Sequence, residues 1–202
     1  MMLLNFLRRL PVVVLGLAAT PAIAHPAVIE CPADQAIYVL PTDDGPLEIG
    51  FIPATNFISA ASDLYLYLGT TQRTYWFTFS VSNGYSGMTL HPVSDPGAAE
   101  AQASGPLDLL KQHFGEDADD AEANILPSLR FYSLDSDLTF LFDPPLAGQP
   151  APAYVMVSEM GLTLWYEPKA LTEDPAAERD SIPRGIFQLA ECLTEPRQKV
   201  LP

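Results

Sequence analysis

Histidine is scarce in this chain of 202 residues, which has three, and His25 stands where it could do chemistry. Ala22-Ile23-Ala24 reads as a signal-peptidase site, and cleavage after it would leave His25 first, with a free α-amine beside its imidazole. Those two nitrogens can chelate one ion, and Cu(II) favours nitrogen ligands in a tetragonal arrangement. The third nitrogen is expected from His91 rather than His113, because His91 falls on an expected strand and His113 in an expected helical insertion. Pro26 is compatible, since such a site does not use the amide of the second residue. His25 and His91 are thus the metal ligands of a copper alternative, beside a first reading in which the protein needs no cofactor.

This arrangement resembles the histidine brace of lytic polysaccharide monooxygenases and of some periplasmic copper carriers, which are exported β-sandwich proteins. The resemblance covers one residue and its position, and it implies copper carriage or redox chemistry as an alternative function.

Other patterns fit their chemistries less well. The run Glu116, Asp117, Asp119, Asp120 and Glu122 offers the carboxylate oxygens that hard cations prefer. With Asp117 at the first position of an EF-hand loop, however, Glu122 stands where glycine is needed and Ser128 where the bidentate glutamate belongs. A solvated acidic loop is the better reading, as a tight turn is for Asp135-Ser136-Asp137. Gly84-Tyr85-Ser86-Gly87 lacks the last glycine of a nucleophile elbow, because Met88 occupies that place. With twenty-five Asp and Glu, a carboxylate-based hydrolase is a further alternative, for which two acids must be close in space. No phosphate-cradling glycine loop, CxxCH haem site or dinucleotide fingerprint occurs.

Tyr65 and Tyr67 alternate with leucines, and Trp76 lies opposite the Tyr75, Phe77 and Phe79 face. If the leucine and phenylalanine faces form the core, Tyr65, Tyr67 and Trp76 point outward as a binding patch. Such a patch would stack on a glycan or small molecule, or anchor a protein partner.

The elements that must position these residues begin after an export signal. Arg8 and Arg9 precede an apolar run from Val12 to Ala19 and then the cleavage site, so residues 1–24 are expected to be removed and 25–202 to form one exported domain, in the periplasm. The apolar run is too short to span a bilayer, so no membrane anchor is expected after cleavage. Cleavage removes two Arg and no acid, and eight bases against twenty-five acids leave a mature charge of −17. A partner held by phosphate contacts, nucleic acid above all, would be repelled. The two cysteines, Cys31 and Cys192, lie near the ends of the mature chain, and an oxidising compartment would pair them.

Dispersed prolines cut the chain into short segments that suit strands better than long helices. Residues 74–81 alternate as a strand does, and 74–91 reads as a hairpin, with further strands over 36–40, 47–52, 64–68, 129–134 and 138–142. A second hairpin is expected to join 154–157 with 162–166. Helix is expected over about 106–123, opening on Pro106, and again near Thr172. Gly185 to Leu193 fits strand and helix alike. The fold expected is a mainly β, antiparallel, sandwich-like domain with a short helical insertion, acting as an exported binding or interaction module for a protein, small-molecule or glycan ligand.

Overall fold

Alternation governs the architecture. The computed structural model describes residues 30–55, 59–81 and 87–197. Five consecutive antiparallel strands come first: β1 (Ala36–Leu40), β2 (Leu47–Pro53), β3 (Leu64–Gly69), β4 (Thr74–Val81) and β5 (Met88–Val93). After a helical stretch come β6 (Arg130–Leu134), β7 (Phe140–Leu141), β8 (Tyr154–Met156) and β9 (Phe187–Cys192). The sheet runs β5-β4-β3-β2-β1-β9-β8-β6, and a β5–β6 pairing joins its ends. The result is a closed barrel of eight antiparallel strands, with β7 added to β6 as an extra strand. The expected sandwich is corrected to a barrel: closure removes the free edges that two separate sheets would leave.

One side of each strand fills the barrel. Leu64, Leu66 and Leu68 of β3 meet Tyr75, Phe77 and Phe79 of β4 and Ile49 and Phe51 of β2 in the interior. The opposite sides of the same strands carry a second, smaller apolar cluster of Ile37, Ile52, Tyr65, Tyr67, Trp76 and Val93. Both faces of β3 are therefore buried, as its near-continuous apolar sequence requires.

Gly50 on β2 is where the outer cluster is tightest. It pairs with Tyr67, whose ring lies across it; a Cβ there would stand 2.5 Å from the Tyr67 hydroxyl. Because that ring is held by its neighbours, Gly50→Ala is expected to cost about 1–3 kcal/mol of overpacking. A lowered melting temperature together with altered Trp76 fluorescence would report it, since Trp76 packs 5.7 Å from Tyr67, centroid to centroid.

Helix occupies the place where β5 and β6 diverge. They pair only at Met88–Phe131 and Thr89–Arg130. Beyond that point the Leu90 amide donates to the Leu129 carbonyl, the Ser94 amide to the Leu107 carbonyl, and Val93 pairs with Asp108. Between those anchors lie α2 (Leu109–Phe114) and α3 (Ala118–Ile125), preceded by α1 (Ala99–Ser104). The single helical stretch expected over 106–123 is thus two short helices, α2 and α3, and α1 is a third before it. Gly105 and Gly115, both at positive φ, end α1 and α2, and the Asp108 carboxylate rather than Pro106 opens α2 by accepting from the Lys111 amide.

Two further expectations are corrected. Residues 160–166 form α4 (Met160–Tyr166), not the second strand of a hairpin, and β8 pairs with β6 and β9 instead. The helix expected near Thr172 is absent; a short 3-10 turn, Pro168–Leu171, stands before it. Gly185 to Leu193 resolves as strand, in β9.

A proline-rich segment, 144–152, is fastened to the barrel by hydrogen bonds that run in both directions. Ser62 donates to the Pro145 carbonyl at 2.6 Å and Tyr38 to that of Pro152 at 2.9 Å, while the Gly148 amide donates to Asp34 and the Ala147 amide to Asp63. Cys31 and Cys192 form a disulfide, their Cα atoms 5.7 Å apart, which ties the lead-in to β1 to the end of β9. A disulfide belongs to an oxidising, exported compartment. No helix among the described residues is long and apolar enough to cross a membrane.

Candidate functional site

Tyr65, Tyr67 and Trp76 occupy the outward side of β3 and β4, as alternation predicts, but they are not a solvent-facing platform. All three are buried, Tyr67 completely. The segment after the disulfide covers them. The Arg197 guanidinium lies 5.5 Å from the Tyr67 ring centroid and donates to the Tyr67 hydroxyl at 2.9 Å and to Glu48 at 2.6 Å; the Tyr67 hydroxyl donates to the same Glu48 oxygen. Burial pushes the Tyr67 phenol far up, and the Glu48 carboxylate adds to the shift. Burial also raises Tyr65, to about 12. Both phenols therefore act as neutral donors or packing surfaces. Beside them a cavity of about 490 Å³ opens between Ile52, Tyr65, Pro96, Pro196 and Arg197, and the guanidinium on its wall is already engaged with Glu48.

His25 and Ser86 lie outside the described residues, as does the cleavage site. His113 sits on α2, with Nε2 2.8 Å from the Thr172 carbonyl oxygen. His91 is on the outward side of β5, opposite Thr78. The acidic run forms a short turn and α3, and Glu122 of that run comes within reach of His91. A second cavity, of about 780 Å³, is bordered by Asp43, Asp44 and Asp180. Asp180 there is a structural acid: it accepts from Thr70 at 2.7 Å and from Tyr75 at 3.0 Å and so pins the loop before β9 to the barrel.

What sequence reading missed is the exposure of the β6–β7 hairpin, whose strands fall within the expected 129–134 and 138–142 and whose turn falls at Asp135-Ser136-Asp137. The Asp135 carboxylate accepts from the amides of Asp137 and Thr139, both at 2.9 Å, and closes its turn. Leu138 follows in a left-handed backbone conformation, φ 63°, which glycine or asparagine adopts more cheaply. Its side chain is 57% exposed, that of Phe140 48% and that of Phe142 77%, with Leu141 also exposed. Phe140 leans on Tyr132, ring centroids 5.8 Å apart, which fixes its direction. Among the described residues β7 pairs with β6 alone, so its other edge keeps unpaired backbone groups. Asp137 and Asp143 flank this apolar tip and are exposed. A signal was present in the sequence: Phe140-Leu141-Phe142 does not alternate, and the prolines at 144 and 145 stop the strand before it can bury both faces.

Comparison of the chain with protein-family models, with characterised proteins and with solved structures found no match.

Proposed function

We propose that this protein is an exported binding module of the periplasm whose contact surface is the Leu138–Phe142 hairpin. Its occupant is an extended apolar segment of a partner protein, flanked by Lys or Arg, that adds to the free edge of β7. One observation carries the reading: four large apolar side chains stand exposed on and beside β7, a short strand that pairs with β6 alone among the described residues. Exposed apolar clusters of this kind mark interaction sites, and a strand edge supplies backbone donors and acceptors in register with an incoming strand. Charge decides the flanks of the partner, since Asp137 and Asp143 border the tip and the whole chain carries −15.

The test is selection from a random-peptide display library on the purified exported protein. Enriched peptides are expected to alternate large apolar residues and to end in Lys or Arg. Phe142→Asp should weaken the best of them by about thirtyfold or more, the loss typical of a central aromatic anchor. Ile186→Asp, at an exposed apolar site elsewhere, should leave affinity unchanged. Absence of enrichment, or peptides that bind Phe142→Asp as tightly as the parent, would overturn the proposal.

A further inference from the structure

Three side chains from three elements converge where α2 and α3 fill the gap beside β5. A His91 ring nitrogen and one carboxylate oxygen each from Asp108 and Glu122 all lie within 4.8 Å of one another. The fold fixes each contributor differently. His91 is held by the β4–β5 register opposite Thr78. Asp108 is pinned twice, by its bridge to Val93 and by capping α2 through the Lys111 amide. Glu122 projects from α3 on the helical stretch whose ends are tied to β5 at Leu107 and Leu129. All three are half-buried, open enough for an ion to enter.

From this convergence we infer a binding site for a divalent transition ion of the zinc class, held by His91, Asp108 and Glu122. The donor set selects the ion. An imidazole disfavours Ca²⁺ and Mg²⁺, which take oxygen ligands, and the absence of thiolate or thioether from the set disfavours Cu(I). One nitrogen and two carboxylate oxygens suit Zn²⁺, with at least one coordination position left for water or for a partner's ligand. Ligands about 2.0–2.2 Å from a shared zinc ion lie within about 4 Å of one another, close to the spread of the three donor atoms here. Among the described residues no direct ion pair joins the three, although Lys111 approaches Asp108 at 3.4 Å. That lysine is largely exposed and yields to a bound dication at small cost. The site is distinct from the expected copper set, because neither the α-amine nor the imidazole of His25 enters it.

Calorimetric titration of the purified exported protein with Zn²⁺ tests the inference. One ion per chain is expected. His91→Ala, Asp108→Asn and Glu122→Gln should each weaken it about tenfold or more, since even the loss of an outer-shell partner costs that much in metal sites. Asp108→Asn keeps a capping oxygen for α2, so its loss of zinc cannot be ascribed to unfolding. Glu116→Gln, in the same acidic run but outside the triad, should bind as the parent does. Equal weakening by Glu116→Gln would mean diffuse attraction to an acidic surface, and loss of zinc on His25→Ala with retention in His91→Ala would place the ion at the N-terminus. Either result, or no binding at all, overturns the assignment.

Discussion

Cys192→Ser, or reduction of the Cys31–Cys192 bond, is expected to lower the melting temperature by about 10–20 °C. The bond joins residues 161 apart in sequence, and closing so long a loop removes about 5 kcal/mol of conformational entropy from the unfolded chain in the loop-closure treatment. For a domain of this size each kcal/mol moves the midpoint by about 2–4 °C. Little of that loss would come from the folded state, because β1 and β9 are paired without the bond: Ala36 faces Cys192 and the Leu193 amide donates to the Gln35 carbonyl. The reduced protein should therefore keep its circular dichroism at room temperature while melting earlier. Paired melts with and without reductant measure the effect. A shift below about 3 °C would show that the unfolded chain is already compact enough to make the loop cheap.

Sequence legibility followed the range of the interaction. The alternation of Tyr75, Phe77 and Phe79 with Trp76 and Thr78 is local, and β4 forms where it says. Closure of the barrel rests on two residue pairs between β5 and β6, about forty positions apart, and no local pattern distinguishes that from a sandwich. Residues 162–166 suit a strand as well as a helix because so short a run satisfies both periods: Leu162, Leu164 and Tyr166 alternate, while Met160, Thr163 and Leu164 share a helical face and are the ones buried. The Ala99–Ser104 helix has no large apolar residue to mark it. The disulfide was legible because only two cysteines exist to pair. At the outer aromatic cluster the alternation correctly sets Tyr65, Tyr67 and Trp76 on one face. Their cover is Arg197, 130 residues from Tyr67, a contact that sequence spacing does not encode. The same holds for His91, Asp108 and Glu122, whose convergence depends on how the helices fill the gap beside β5.

Phe51→Ala should be the most damaging single substitution in the barrel interior, costing about 3–5 kcal/mol. Phe51 is completely enclosed on β2, and its ring meets Tyr38 of β1 at 5.8 Å, Phe79 of β4 at 6.1 Å and Phe131 of β6 at 6.4 Å, centroid to centroid. It thus links strands from both ends of the sheet across the interior, where Phe131 also packs edge-on against Phe79 at 5.2 Å. Two backbone pairs alone would hold β5 to β6 weakly, so this aromatic contact across the core contributes much of what keeps the barrel closed. Loss of the ring should speed amide exchange in β6 before β1 or β3. Phe51→Leu, which keeps most of the volume, should cost much less and preserve that protection. The disulfide acts on the unfolded chain and Phe51 on the folded one, so the two losses should add. Phe51→Ala without the bond would then lose about 8–10 kcal/mol, as much as a typical domain has to lose. A reduced Phe51→Ala protein that still melts cooperatively above room temperature would show that the barrel is held shut elsewhere.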